Sequence, residues 1–205
     1  MAEGSILHEE RRRQILHAAV RAFARKGYHA CRVSDIATEA GVAYGLVYHY
    51  FGSKEALLEA IFKETWGAML ETVSSVERLD AHAPERLRKV TEIVLRTWKR
   101  DPDLVRVLVR EVTRSSHVQL EGDEIEQAFA ALERIVEDGQ REGSFRPDVD
   151  ARVTATIWYG ALEEILTGWA FEQLPDSDDD MVAAKRAVVE IVVGGLAIER
   201  AAALA

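Results

Sequence analysis

The sequence predicts an all-α protein. Apolar residues recur at helical intervals through most of its 205 residues, and only four prolines and thirteen glycines interrupt them, which leaves few places for strands. With 48% of residues hydrophobic and 30% charged, the composition is that of a soluble globular protein. A chain of this length buries roughly two-thirds of its unfolded surface.

About nine helices are expected. A first, near Glu9 to Lys26, carries Ile15, Ala18, Ala19, Ala22 and Phe23 on one face, and Gly27 stands at its C-terminal cap. A short second helix, about Val33 to Ala40, starts at Ser34 and Asp35, turns Ile36 and Ala37 inward and ends at Gly41. Gly41, Val42 and Ala43 form a tight turn into a third, about Tyr44 to Phe51. Ser53 suits the N-cap of a long fourth helix reaching Ser74 or Val76. Pro84 and Pro102 fit the first positions of a fifth, to Arg100, and a sixth, to Ser115. After a loop near His117 to Gly122 come a seventh, about Asp123 to Arg141, and an eighth, opened by Pro147 and Asp148 and reaching Gln173. A polar linker, Leu174 to Asp180, precedes a ninth from Met181 to Ala202.

Charge is unevenly divided. Residues 1–56 hold eight Lys and Arg against six Asp and Glu, giving +2; the remainder holds eighteen against twenty-nine, giving −11. A slightly basic head on an acidic body suits local contact with a polyanion. Arg11, Arg12 and Arg13 open the first helix against its dipole, so either solvated charge or a phosphate backbone explains them. Cys31 is the only cysteine, which excludes an intramolecular disulfide and a multi-cysteine metal site and fits a reducing cytosol. No signal peptide and no membrane span is read, so a cytoplasmic protein is expected.

Two short helices joined by a glycine-containing turn read as a helix-turn-helix, whose second helix enters the DNA major groove. Gly45 inside that helix costs about 1 kcal/mol against alanine, and close approach of backbone to DNA supplies a reason for it. Leu46 or Val47 with Phe51 provides the inward face and leaves Tyr44, Tyr48 and His49 outward, where they reach phosphates, sugars or thymine methyls. Tyr50 is expected to be half-buried, and Lys54 adds charge where backbone amides already attract a phosphate.

Gly27-Tyr28, Val33-Ser34-Asp35-Ile36-Ala37, Ala40-Gly41-Val42, Gly45 through Phe51 and Ser53-Lys54-Glu55-Ala56-Leu57 resemble, in register, the N-terminal motif of the TetR family over about residues 10–60. The resemblance implies a homodimeric repressor with a DNA-binding domain at 1–56 and a ligand-binding and dimerisation domain at 57–205. It also implies a pseudo-palindromic double-stranded operator, a four-helix bundle made by the last two helices, and a ligand that shifts the two DNA heads apart. The DNA-contact set is Arg32, Ala43, Tyr44, Gly45, Leu46, Tyr48, His49, Tyr50 and Lys54. Two positions depart from the pattern. Arg32 replaces a capping Ser or Thr, and Ala43 replaces a frequent Ser.

In the body, the ninth helix is apolar nearly all round, which calls for cover on more than one side. A partner subunit is the simplest cover, and Gly194 and Gly195 permit close approach. Candidate ligand residues are Trp98, Phe129, Trp158 and Trp169, with Arg106, Arg110 and Arg114 spaced four apart on the sixth helix. That stripe is either a solvated face or an anion site. Tyr28-His29, Ile36-Ala37, Asp101 to Ser115 and Gly160 through Trp169 resemble TetR-type repressors of fatty-acid degradation, which implies a small hydrophobic effector such as a long-chain acyl-CoA. A drug-responsive regulator of an efflux pump and a helical interaction module without DNA binding are the alternatives. No cofactor, metal or membrane partner is read, and an enzyme is disfavoured. The six histidines are scattered, no phosphate-binding loop exists, and the adjacent Glu163 and Glu164 point in different directions on a helix.

Overall fold

A computed structural model describes residues 2–112 and 123–197. In chain order these form α1 (Ala2–Lys26), α2 (Val33–Ala40), α3 (Tyr44–Phe51), α4 (Lys54–Glu77), α5 (Ala83–Arg100), α6 (Pro102–Val112), α7 (Asp123–Arg141), α8 (Ala151–Ala170) and α9 (Asp178–Val188). The last runs on into a π-helical turn, Val189–Val193, and a closing turn, Gly194–Leu196. No strand occurs among the described residues, only an isolated bridge between Phe145 and Ala197. The expected ends of the sixth helix at Ser115 and the ninth at Ala202, the loop His117 to Gly122, and Arg114 lie outside the described residues.

The described residues divide into two compact units, 2–66 with 101–112, and 67–100 with 123–197. In the first, Ile15, Ala18, Ala19 and Phe23 of α1 meet Ile36 and Ala37 of α2, Val47 of α3, and Leu57 and Phe62 of α4 in one buried cluster. Val107 of α6 belongs to the same cluster, so a helix far along the chain completes this core. Burying a side chain such as Phe23 contributes about 2–3 kcal/mol. The turn between α2 and α3 depends on Gly41, whose φ of +65° is left-handed and lets the amides of Gly41 and Val42 bond Thr38 and Ala37.

In the second unit α5 buries Leu87, Val90, Val94, Leu95 and Trp98, packed with Leu132, Ile135 and Val136 of α7 and Trp158 and Leu162 of α8. Arg86 is only 5% exposed. One guanidinium nitrogen donates to the Glu77 carbonyl at 3.0 Å and to Asp138 at 2.8 Å, and the other to Glu142 at 3.2 Å, tying three helix ends together. Removing one partner of such a buried pair costs about 3–5 kcal/mol. Close packing also dictates Gly139, since a Cβ there would fall 2.1 Å from the buried Phe145 ring.

Four boundaries differ from expectation. α1 begins at Ala2 rather than Glu9, and its first turns are held by tertiary contacts: His8 stacks on Tyr50 at 4.6 Å, and Arg12 pairs with Glu64. Pro147 and Asp148 form a turn instead of opening α8, because the Asp150 carboxylate caps the Val153 amide at 2.8 Å. α8 stops at Ala170, where Trp169 donates to the Pro175 carbonyl and the amides of Gln173 and Leu174 fold back onto the Gly168 carbonyl. Asp178 to Asp180, expected in a linker, are the first turn of α9; Ser177 caps it, and the aspartates sit at the positive end of the helix dipole.

Candidate nucleic-acid interface

α3 is positioned from below by Val47, which is buried in the core of the first unit. That anchor sends the opposite face outward: Tyr44 is 52% exposed and Tyr48 42%. Four residues apart, their rings lie 5.0 Å from one another, and the Tyr44 hydroxyl donates to that of Tyr48 at 3.1 Å. This bond raises the Tyr48 hydroxyl above its ordinary value, so it stays a neutral donor and acceptor. His49 is exposed, and the half-buried Tyr50 sits between the His49 ring at 5.6 Å and His8.

The beginning of α3 is open. Ala43 is extended and provides no side-chain cap, leaving backbone amides of the first turn facing solvent. Ala43, Tyr44 and Gly45 are all exposed, and Leu46 is half-buried. A Cβ added at Gly45 would meet nothing within 4 Å, and its φ is not left-handed. Nothing inside the protein therefore requires a glycine at that position.

Arg32 is the N-cap residue of α2, where its side chain cannot accept a hydrogen bond. The cap is supplied in reverse: the Arg32 amide donates to Asp35 at 2.9 Å, and Asp35 also receives Lys26 at 2.7 Å. The Lys26 bond and then the Arg32 amide hold the Asp35 carboxyl below the usual carboxylate range. The Arg32 guanidinium itself stays exposed.

Lys54 has a second task that sequence reasoning missed. Its ammonium donates to the carbonyls of Tyr28 at 2.9 Å and Cys31 at 3.1 Å and lies 4.3 Å from the Tyr28 ring centroid. The loop that carries Arg32 is thus pinned to the start of α4. Tyr28 donates in turn to Glu55 at 3.2 Å; burial, then the Glu55 charge, pushes its hydroxyl up to about 12. Several other basic residues of this unit are committed internally. Arg21 and Arg25 hold Glu39 at 2.8 and 2.9 Å, and Arg12 lies 5.5 Å from the Phe51 ring centroid. The surplus counted along the sequence is therefore mostly spent on bracing α1 against α2.

Of the ligand candidates, Trp98, Trp158 and Trp169 are buried in the second unit with their indole N–H groups bonded to Asp176, Thr91 and Pro175 at 3.0–3.1 Å. Phe129 is half-buried against Tyr159, with ring centroids 5.0 Å apart. Burial raises the Tyr159 hydroxyl above its ordinary range, with Glu163 adding to it; burial and then Glu164 raise the Glu163 carboxyl. Arg106 and Arg110 are placed in the first unit on α6, where Arg106 pairs with Asp103 at 3.1 Å and Arg110 donates to the Ala24 carbonyl at 3.3 Å. Among the described residues no cluster of three or more potential metal ligands occurs, and no helix is long and apolar enough to cross a membrane.

Comparison with known proteins places this geometry. Residues 15–61 match the family described as bacterial regulatory proteins, tetR family, and residues 62–195 match that described as YsiA-like protein, C-terminal region. The fatty acid metabolism regulator protein of Bacillus subtilis (strain 168) is 33% identical over 186 residues, covering 89% of this chain and 94% of the relative. The crystal structure of the transcriptional regulator FadR from Bacillus subtilis in complex with stearoyl-CoA superimposes with a TM-score of 0.77 at 31% identity, covering 89% of this chain and 98% of that one. The fatty acid degradation regulator FadR from Bacillus halodurans gives 0.76 at 28% identity, with the same coverage.

Proposed function

This chain belongs to the TetR family of bacterial regulatory proteins, and from that premise we infer a cytoplasmic, homodimeric repressor that leaves its operator when it binds a long-chain acyl-CoA. It is a DNA-binding transcriptional regulator, not an enzyme. Residues 1–56 carry the DNA contacts, and 57–205 carry effector binding and dimerisation.

The exposed Tyr44–Tyr48 pair beside a glycine that packing does not require carries the DNA reading. An α-helix fits the major groove, and a leading turn without side chains lets its backbone approach bases. Tyr44 and Gly45 take that position, with Ala43 and Leu46 beside them. Tyr48, His49 and Tyr50 set register on phosphates and sugars. Arg32 and the remaining N–H of Lys54 flank them as phosphate contacts. Tyr48→Ala or Lys54→Ala weakens operator binding while helicity and dimerisation stay intact; unchanged binding in both variants would sink the assignment of α3 to the groove.

Dimerisation through α8 and α9 is supported by the aliphatic side chains they leave exposed, Val153 and Ile157 on α8 and Val182 and Ile191 on α9. Two copies related by a twofold axis then match a pseudo-palindromic operator.

The effector reading rests on the relatives, a fatty acid metabolism regulator and a FadR solved with stearoyl-CoA. Phe129, Trp98, Trp158 and Trp169 supply the apolar interior of the body, and Arg106, Arg110 and Arg114 remain candidate anion contacts. Stearoyl-CoA is expected to release operator DNA in a mobility-shift assay. By mass action it also stabilises the protein, by about 2.7 kcal/mol at a hundredfold excess over Kd. Operator binding that ignores saturating stearoyl-CoA would remove this reading.

A further inference from the structure

Arg88 and Lys89 of α5 come together with Lys185 and Arg186 of α9 around an open groove of about 610 Å³ in the second unit. Only two carboxylates share its lining, Glu85 and Glu92. The pairing inside is uneven. Glu92 takes Lys185 at 3.3 Å and also pairs with Arg96. Burial alone would push its carboxyl up, yet Lys185, Arg96 and Lys89 together hold it below the usual range. Arg186 reaches Glu190 only at 4.0 Å, and Arg88 and Lys89 are exposed and enter no ion pair among the described residues.

Two helices that pack together hold these cations at a fixed separation, where they repel one another unless an anion sits between them. A single carboxylate satisfies one cation. Two linked phosphates satisfy several, and the groove's volume is that of a small-molecule site. Val182 and Val189 add apolar lining against which a ring can rest. We propose that the α5–α9 groove binds a pyrophosphate-bearing anion of nucleotide size. Its two sources are a free nucleoside diphosphate and the nucleotide end of a coenzyme A ester, so the site stands independently of the acyl-CoA reading.

The test titrates full-length protein with inorganic pyrophosphate, ADP and coenzyme A by calorimetry at two salt concentrations. Wild type is compared with Arg88→Ala/Lys89→Ala and with the charge-keeping Arg88→Lys/Lys89→Arg. The removed side chains are exposed and unpaired, and circular dichroism with sedimentation confirms that fold and oligomeric state survive. The alanine pair is expected to weaken ADP or coenzyme A at least tenfold and to flatten the salt dependence, while the charge-keeping pair stays within about threefold of wild type. Binding of both ADP and coenzyme A identifies a free nucleotide as sufficient; binding of coenzyme A alone identifies the ester. Failure of the wild type to bind any probe, or equal binding by wild type and the alanine pair, overturns the proposal. Release of operator by stearoyl-CoA is scored separately on the same variants. If it persists while the three probes ignore the groove, the site is lost and the effector reading stands.

Discussion

α3 and α9 both turn hydrophobic side chains to solvent, and what they expose differs in kind. On α3 the exposed groups are Tyr44 and Tyr48, whose hydroxyls bond one another on rings that are otherwise apolar, at a helix start with no side-chain cap. On α9 they are aliphatic, Val182 at 66% and Ile191 at 74% exposure, on a helix whose start is capped by Ser177. Tyrosine suits a partner that is wet and polar, because one end hydrogen-bonds while the ring still buries area. Valine and isoleucine gain only from a dry partner, such as a second copy of the same face. One chain thus presents two unsatisfied surfaces whose chemistry separates nucleic acid from protein.

The largest effect is expected where the aliphatic face is broken. Ile157→Glu combined with Ile191→Glu places a charge on each of two helices, and at about 2 kcal/mol per hot-spot side chain the dimer weakens by more than 100-fold. Operator affinity falls with it, because a monomer grips one half-site. Sedimentation shows monomers with unchanged helicity, since both side chains are already solvent-exposed. A dimer that persists with normal operator affinity would place the partner surface elsewhere.

Tyr48→Ala comes next, lowering operator affinity about 10- to 30-fold, or about 1.5–2 kcal/mol. Tyr48→Phe keeps the ring and loses the hydroxyl, so the two variants divide the contact into its apolar and polar parts. Gly45→Ala separates folding from binding, because the effects have opposite signs. Stability rises by about 0.5–1 kcal/mol, and operator affinity drops about tenfold when the added methyl meets DNA. Thermal melts and mobility shifts on one preparation check both; a rise in both would remove close backbone approach as the reason for this glycine.

The smallest effect concerns the loop behind the interface. The Tyr28 hydroxyl is raised in the folded protein from 10 to about 12, so between those values the folded state binds more protons than the unfolded one. Stability contributed by the neutral hydroxyl is fully present below pH 10 and is lost as pH climbs toward 12. Tyr28→Phe should flatten that alkaline fall in denaturant melts. An unaltered slope would mean that the Tyr28–Glu55 contact is not kept in solution.

How much was legible in the sequence depends on how local the signal was. α2, α3 and α7 fall where the periodicity and their flanking glycines and acids put them, because caps and helical spacing act over four residues or fewer. The outward turn of Tyr44 and Tyr48 followed from Val47 being on the opposite face. The corner between α8 and α9 was misread since Pro147 and an aspartate run suit a loop or a helix start equally well. Only the Asp150 and Ser177 caps choose between them. The extra turns of α1 carried no sequence signal, because their support comes from Tyr50 and Glu64.

The sequence by itself determined the all-α class, the helix-turn-helix and the face that α3 shows to solvent, since each follows from residues within one or two helical turns. Tertiary structure alone decided which charges matter. Arg21 and Arg25 close on Glu39 and Lys54 on two carbonyls, while Arg88 and Lys89 stand unpaired opposite Lys185 and Arg186, nearly a hundred residues away along the chain. Electrostatic energy depends on separation in space and on the surrounding dielectric, and neither is a property of position along the chain.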